Sequence, residues 1–325
     1  MKRRDFITLL GGAAAAWPLA ARAQRREKRV GVLMGLPESD RVGQAEVAAL
    51  RQGLRDLGWR EGDDLRIDVR WPGADAERAR ILAKEIIALS PDVILARSTP
   101  ATAALKAQTR TIPIVFVQVA EPIVSGLVES LSRPGGNITG FTNFEASIGG
   151  KWLQLLKEIA PEVVRITMMY NPDTAPYARS FLEPAKTAAA TLDLDVSTAT
   201  VRSEAEIENT IAALAARKGG GLVQIPDTFT NEHRELVAKL TAQYRIPAIS
   251  SNSGGGGLIV YNVDSLDVLR RAATYVDRII KGEKPSNLPV QQPTKFRLTI
   301  DLKFAKALGL TVPPTLLAIA DEVIE

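Results

Sequence analysis

The chain has 325 residues, with 41 Lys and Arg against 37 Asp and Glu, so its formal net charge is +4. It contains no cysteine, which excludes disulfide bonds, thiolate catalysis and cysteine-ligated metals, and its one histidine cannot form a multi-histidine zinc site. Four of the basic residues and one acidic residue, Asp5, lie within the first 23 positions, so the remainder carries a charge of about +1. This charge gives no global electrostatic case for binding nucleic acid.

The first 23 residues have the order of an export signal. Basic residues at 2–4 precede an apolar stretch at 9–16, and an Ala-Arg-Ala triplet follows at 21–23. This pattern predicts a signal peptide, 1–23, that is cleaved near Ala23 and directs the protein to the periplasm. The adjacent arginines fit twin-arginine export, with general secretion as the alternative. A buried N-terminal helix is the competing interpretation. The lack of cysteine predicts that no lipid anchor is attached.

Short apolar runs then alternate with longer amphipathic stretches. Nearly continuous apolar runs predict strands buried on both faces of a parallel sheet, whereas alternation at 65–71 predicts a strand nearer an edge. In chain order, strands are predicted at 30–34, 65–71, 92–96, 112–119 and 137–142, and helices at 42–57, at 75–89, from 101 and near 124–131.

The same alternation begins again after a predicted helix at 148–159. Further strands are predicted at 164–170, 196–201, 222–225, 246–250 and 296–300, and further helices at 177–192, 204–218, 231–244 and 266–281. Strands that alternate with such helices indicate parallel sheets. The predicted fold class is therefore α/β, with two doubly wound parallel-sheet lobes joined by a hinge. Pro285, Pro289 and Pro293 indicate a crossover between the lobes, with a plain surface loop as the alternative.

The predicted topology also indicates where a ligand would bind. In an open parallel sheet, ligands bind beyond the carboxyl ends of the strands, where helix N-termini present free amides. Glu121 and Asp227 are the carboxylates expected to meet a ligand cation, since a buried charge needs a partner. Helix capping is the alternative role for Ser98, Thr99 and Asp227. The candidate ligand-binding residues are Ser98, Thr99, Thr102, Gln118, Glu121, Asn171, Asp227, Ser250 and Asn252.

Motifs of common enzyme classes are missing from the sequence. There is no Walker A motif, no G-x-S-x-G and no H-E-x-x-H, so no catalytic residue, cofactor or metal is predicted. His233 lies in a predicted helix among charged neighbours and is expected to face solvent. The glycine run at 254–257 lacks the G-x-G-x-x-G register and predicts a flexible loop, followed by a strand, instead of a phosphate cradle.

Six segments together resemble one known family. They are GLRDLGW at 53–59, STPA at 98–101, TIPIVF at 111–116, SRPGGNITG at 132–140, QPTKF at 292–296 and AKALGL at 305–310. With them the chain resembles the ABC-transporter substrate-binding proteins, some of whose members bind aromatic amino acids. The resemblance implies a type I periplasmic-binding fold with three crossovers. It places 29–142 with 264–284 in lobe 1, and 143–263 with 290–325 in lobe 2.

The chain departs from this family pattern at two places. It has Ala-Glu-Pro at 120–122 where relatives often have Gly-Asp-Pro, and Asn-Val-Asp at 262–264 where they often have a Gly-Pro turn. The first departure bears on which ligand is bound, because a Glu side chain reaches farther than an Asp side chain. The second bears on the hinge.

The resemblance and the residues together predict a function. We expect the periplasmic solute-binding component of an ABC importer, a monomer that captures an amino acid or small organic acid by hinge closure and delivers it to a membrane permease. No enzyme activity and no nucleic-acid partner is expected. The alternatives are a ligand sensor that acts on a membrane receptor and an exported enzyme that depends on carboxylates.

Overall fold

The computed structural model describes residues 27–252, 254 and 257–325. The predicted signal peptide, 1–23, and part of the predicted glycine loop lie outside the described residues. Within the described part, no helix combines the length and the apolar character needed to cross a membrane.

The first half of the chain forms a five-stranded parallel sheet. Its strands are β1 (Lys28–Leu33), β2 (Leu65–Arg70), β3 (Val93–Arg97), β4 (Ile114–Val119) and β5 (Ile138–Thr142), and its first helices are α1 (Arg41–Asp56), α2 (Ala76–Ala88) and α3 (Thr99–Lys106). The spatial order is β2-β1-β3-β4-β5, so the strand with the alternating sequence lies at an edge, as predicted. All residues of β3 and β5 are buried, as expected of strands covered on both faces.

A second sheet follows. Its strands are β6 (Arg165–Tyr170), β7 (Asp195–Thr200), β8 (Gly220–Gln224), β9 (Ala248–Ser250), β10 (Ile259–Val263), β11 (Phe296–Asp301) and β12 (Glu322–Ile324). The remaining helices are α4 (Ile148–Ile159), α5 (Arg179–Leu192), α6 (Glu204–Ala215), α7 (Thr228–Glu232), α8 (Arg234–Gln243), α9 (Ser265–Ile280), α10 (Leu302–Ala307) and α11 (Pro314–Ile319). The order is β12-β11-β10-β9-β8-β6-β7, with only the β10–β11 pair antiparallel among these strands. The predicted α/β class with two sheets is confirmed.

Helix α9 follows β10 of the second sheet but packs against α1 beside the first sheet. Gly53 allows the two helices to approach, because a Cβ atom at this position would lie 2.8 Å from the Cβ of Ala273. Trp59 Nε1 also donates a hydrogen bond to Asp277 Oδ1 at 2.9 Å. The chain then runs along β5, where the Gln291 amide donates to a strand carbonyl at 2.9 Å, before it enters β11. The described chain therefore passes between the two sheets three times.

An aromatic cluster fills the core beside the second sheet. Trp152 of α4 is fully buried and its ring lies 5.4 Å from that of Phe181 and 5.6 Å from that of Phe144, centroid to centroid. Aromatic rings bury large apolar areas and favour tilted or edge-on contacts of this kind. Since Phe144 lies two residues after the end of β5, the cluster fixes the segment by which the chain first leaves the first sheet.

Several local predictions are wrong. The segment predicted as a helix near 124–131 forms turns, because Gly126 has φ +65° and the Leu127 amide bonds back to the Pro122 carbonyl at 2.8 Å. The helix predicted at 231–244 is divided at His233, whose φ of −94° and ψ of 18° interrupt the helical backbone. The structure also adds α10, α11 and β12, for which no element was predicted.

The prediction that His233 faces solvent is wrong. Its Nδ1 lies 2.9 Å from the Phe229 carbonyl oxygen, and its ring lies 4.4 Å from the Phe229 ring. Only 21% of its side chain is exposed, and its Nε2 lies 3.4 Å from a Glu204 carboxylate oxygen. The imidazole is therefore partly packed at the junction of α7 and α8.

Candidate ligand-binding site

A cavity lies between the two sheets, at the carboxyl ends of several parallel strands. One side comes from the ends of β3 and β4 and the residues after β5, and the other from the turns after β8 and β9. The lining residues are Arg97, Ser98, Gln118, Asn143, Phe144, Tyr177, Pro226, Asp227, Thr228, Asn231, Ser251, Asn252, Asn262 and Val263.

The structure brings four of the nine candidate residues together in the cavity wall. These are Ser98 and Gln118 from the first sheet, and Asp227 and Asn252 from the second. The other five do not line the cavity; they are Thr99, Thr102, Glu121, Asn171 and Ser250.

Three of these five support neighbouring turns. The Thr102 hydroxyl donates to the carbonyl of the residue that caps α3, at 2.7 Å. Asn171 Oδ1 accepts a hydrogen bond from the Asp173 amide at 2.8 Å, and the Ser250 hydroxyl accepts one from the Asn252 amide at 3.1 Å. These side chains hold the backbone from behind the cavity wall.

Unusual backbone conformations mark the first-sheet side of the cavity. Ser98, Gln118 and Glu121 have φ angles of +91°, +54° and +46°. Left-handed backbone is costly for a residue with a side chain, and such residues concentrate at functional sites. Thr99 follows Ser98 as the buried first residue of α3. Glu121 is half-buried, and burial raises the pKa of its carboxyl group.

Asp227 is a buried carboxylate at the centre of a hydrogen-bond cluster. It caps α7 by accepting from the amides of Phe229 at 3.0 Å and Thr230 at 3.4 Å, and it accepts from the Asn171 amide at 2.7 Å and from the Thr174 hydroxyl. Burial nevertheless raises its pKa, because these hydrogen bonds offset only part of the desolvation cost. Within the described ranges, no basic side chain forms an ion pair with it. The capping role is thus real, and the carboxylate also borders the cavity.

Four lining side chains have buried amide atoms with no hydrogen-bond partner within the described protein. They are Nε2 of Gln118, Oδ1 of Asn143, Oδ1 of Asn231 and Nδ2 of Asn252. Buried polar groups are nearly always hydrogen-bonded, because an unmade bond costs desolvation energy. Four such atoms around one cavity therefore indicate a polar ligand that supplies both donors and acceptors.

Several lining residues are absent from the sequence-based prediction. Arg97 ends the otherwise apolar strand β3, and a charged residue in a buried strand is a signal that could have identified it. Asn143 follows β5 and would have been found by applying the strand-end rule to that strand too. Tyr177 reaches the cavity from the segment before α5, so tertiary structure alone places it there. Its hydroxyl donates to the Pro226 carbonyl at 2.9 Å, and burial and the nearby Asp227 charge raise its pKa.

Two polar contacts join the sides of the cleft. Arg234 Nη1 lies 2.7 Å from Asp40 Oδ2, and Glu232 accepts a hydrogen bond from the Ala74 amide at 2.6 Å. Asp40 and Ala74 precede α1 and α2 of the first sheet, whereas Glu232 and Arg234 belong to α7 and α8 of the second. These contacts hold the two sides together.

Comparison with known proteins agrees with this architecture. Residues 38–324 match the family model described as ABC transporter substrate binding protein. A tyrosine-binding protein of Clostridioides difficile (strain R20291) is 25% identical over 292 residues, which cover 88% of this chain and 82% of that protein.

Solved structures of similar proteins include one with ligand and one without. An ABC domain from Streptococcus pneumoniae in complex with L-Trp has a TM-score of 0.84 at 25% identity, over 92% of this chain and 100% of that one. The ligand-free, open structure of a Clostridium difficile substrate binding protein with adhesive properties has a TM-score of 0.68 at 25% identity, over 91% and 99%. These neighbours support the two-lobed type I periplasmic-binding fold. The chain belongs to the ABC transporter substrate binding protein family.

Proposed function

We propose that this protein captures an amino acid between its two lobes and delivers it to the membrane permease of an ABC importer. The observation that carries the proposal is the Asp227 carboxylate, which borders the cavity and has no basic partner within the described ranges. A charge out of water is stable only when it is paired, and the α-ammonium of an amino acid would supply that pairing.

The relatives suggest which amino acids to test first. One is described as a tyrosine-binding protein and another was solved with L-Trp. In this chain, Phe144 and Tyr177 contribute aromatic rings to a cavity whose other walls are mainly polar. An aromatic side chain could pack on these rings while its polar groups meet the amide side chains. Amino acids with aromatic side chains are therefore the leading candidates.

Ligand capture requires that the closed arrangement be favoured only when the ligand contacts both lobes. Both solved relatives are 25% identical to this chain, but its structure has a higher TM-score against the relative in complex with L-Trp (0.84) than against the ligand-free, open relative (0.68). The Arg234–Asp40 and Glu232–Ala74 contacts across the cleft fit a closed arrangement. We propose that ligand binding drives this closure.

The division into lobes is part of the proposal. We assign 29–142 and 264–284 to lobe 1, and 143–263 and 290–325 to lobe 2. The packing of α9 on α1 supports the first assignment. Since Gln291 pairs with Phe141 of β5, the last crossover would begin just after it, so residues 290 and 291 would belong to lobe 1 and lobe 2 would resume at 292. We further propose that the protein is exported to the periplasm as a monomer and that residues 1–23 are removed. N-terminal sequencing of the mature protein tests the removal of 1–23.

A thermal-shift screen followed by calorimetry tests the ligand. L-Tryptophan, L-tyrosine, L-phenylalanine, glycine and small organic acids are screened, because binding to the folded state alone raises the unfolding temperature. We expect aromatic amino acids to bind, and Asp227→Asn to weaken binding by about 10- to 100-fold, since a hydrogen bond to a charged group is lost. The control is Asp173→Asn, at an exposed carboxylate that pairs with Arg202.

Two results would overturn the amino-acid assignment: no amino acid stabilises the wild type, or Asp227→Asn binds with unchanged affinity. Chemical analysis of the bound compound separates capture from catalysis, because a binding protein returns its ligand unaltered. Loss of uptake in cells without the protein would support the importer role over that of a sensor.

A further inference from the structure

Arg97 and Glu46 form a buried ion pair at the cavity wall. Arg97 is the last residue of β3, and Glu46 lies on α1. Arg97 Nε is 2.6 Å from Glu46 Oε2, and Nη2 is 3.4 Å from Oε1. The Glu46 side chain is fully buried, whereas 6% of the Arg97 side chain is accessible, and only Arg97 lines the cavity. The cation thus lies between its own carboxylate and the cavity.

The hydrogen bonds of this pair leave part of the guanidinium available. An arginine side chain has five N–H donors, and two of them are used by Glu46. The other three have no acceptor among the described residues. A guanidinium so nearly buried normally uses its donors, because unmet hydrogen bonds are costly out of water. A ligand anion in the cavity would meet them.

We propose that Arg97, positioned by Glu46, is the anion-recognising group of this cavity and receives the carboxylate of the ligand. The proposal rests on the proposed function and deepens it. Planar guanidinium groups bind carboxylates through two parallel hydrogen bonds, so Arg97 would fix the orientation as well as the charge of the ligand. Glu46 is a positioning residue, since both of its oxygens hold Arg97 and it does not border the cavity.

Arg97 and Asp227 then define a ligand of one charge pattern. Arg97 comes from the first sheet and Asp227 follows β8 of the second, and both border the same cavity. A zwitterion could satisfy both charges at once, with its carboxylate on Arg97 and its ammonium group on Asp227. Because each charge belongs to a different sheet, such a ligand would link the lobes, and one with a single charge would contact only one side strongly.

Half-ligands separate the two contacts. The probes are L-tryptophan, 3-(indol-3-yl)propanoate, which lacks the ammonium group, and tryptamine, which lacks the carboxylate. The variants are Glu46→Gln with Arg97→Gln, which removes both charges together, and Asp227→Asn. The control is Arg51→Gln with Glu61→Gln, an exposed Arg–Glu pair with its Arg on the same helix α1 and an N–O distance of 3.0 Å. Calorimetry gives each dissociation constant.

Each variant should weaken the binding of a different half-ligand. The Glu46 and Arg97 double variant should bind L-tryptophan and the propanoate about 10- to 100-fold more weakly and tryptamine within about threefold of wild type. Asp227→Asn should no longer bind tryptamine but should still bind the propanoate. The control should bind every probe with the affinity of wild type. If the double variant does not fold, Arg97→Lys, which keeps the charge but not the planar fork, should still weaken both carboxylate probes about tenfold.

The outcomes separate this inference from the proposed function. If the wild type binds L-tryptophan and the double variant binds both carboxylate probes equally well, the role of Arg97 is wrong while amino-acid capture stands. If the propanoate binds in an Arg97-dependent way and no amino acid binds, the anion site stands and the amino-acid assignment is wrong. If the double variant binds all three probes more weakly by a similar factor, the Arg97–Glu46 pair has a structural role only.

Discussion

Arg234 Nη1 lies 2.7 Å from Asp40 Oδ2, and this ion pair joins the two sides of the cleft while both side chains are almost fully buried. Arg234 also donates to the carbonyl oxygens of Asn231 at 3.0 Å and Gly254 at 3.2 Å. Asp40 in turn caps α1 by accepting from the Gly43 amide at 3.0 Å. The residue that spans the cleft is therefore anchored beside Asn231, which lines the cavity.

Replacing Asp40 by Asn should weaken ligand binding without unfolding α1. Asn caps helices as well as Asp does, so the Gly43 bond is retained while the charge attraction across the cleft is lost. We expect an affinity for the preferred amino acid about 3- to 10-fold lower than wild type, because the closed state loses a partly desolvated ion pair. Calorimetry measures the affinity, and small-angle scattering reports whether the ligand-free variant is more open than the ligand-free wild type. Unchanged affinity would show that the pair does not contribute to closure.

Ligand affinity should depend on pH through Asp227. Because burial raises its pKa, the carboxyl group is neutral over a pH range in which an exposed aspartate is already ionised. A ligand cation binds the ionised form, so affinity should rise as pH increases through the raised pKa and then level off. Titrations from about pH 4 to pH 8 on wild type and Asp227→Asn measure this. A wild-type profile as flat as that of the variant would contradict the assignment.

The same pKa shift has a consequence for stability. A carboxyl group whose pKa is higher in the folded state keeps its proton longer there than in the unfolded chain. Its contribution to the free energy of unfolding is fully present below the unfolded pKa and is lost as pH rises through the folded pKa. Denaturant titrations of the ligand-free protein should show this loss for wild type relative to Asp227→Asn. A difference between the two proteins that does not vary with pH would count against a raised pKa.

Asn231 offers a test of the cavity amides. Its Oδ1 is buried without a hydrogen-bond partner in the described protein, so an apolar side chain of similar size removes no bond inside the protein. Asn231→Leu should leave the unfolding temperature unchanged or raise it, but should weaken amino-acid binding about tenfold because a ligand contact is lost. The matched control is Asn209→Leu on an exposed face of α6, which should change neither quantity. Parallel loss of stability and affinity in Asn231→Leu would indicate a purely structural role.

Gly140 tests the packing of the first sheet. A Cβ atom at this position would lie 2.1 Å from the Phe116 carbonyl oxygen, and the strand backbone cannot move aside easily. Gly140→Ala should therefore lower the free energy of unfolding by about 2–3 kcal/mol. For comparison, Gly136→Ala should cost only about 1 kcal/mol, since its φ of +55° is unfavourable but no atom lies within 4 Å of its Cβ position. Denaturant unfolding measures both, and equal effects would contradict the close contact.

The sequence by itself determined the fold class, the order of most strands and helices, the edge position of β2 and the resemblance to the family. It could do so because apolar periodicity reflects local burial, and because strand-end turns have the polar residues that cap helices. Ser98, Gln118, Asp227 and Asn252 were found in this way. The turn at Gly126 and the break at His233 were missed, since local backbone contacts override helical periodicity there.

Only the tertiary structure decided how these residues combine. It brought Tyr177, Asn143 and Arg97 to one cavity, although they come from distant parts of the chain, and it placed Glu46 behind Arg97. It also showed that Thr102 and Ser250 bond to the backbone instead of lining the cavity. Strand periodicity says which residues are buried, but the partner of a buried charge depends on how separate elements pack, and no local pattern records that.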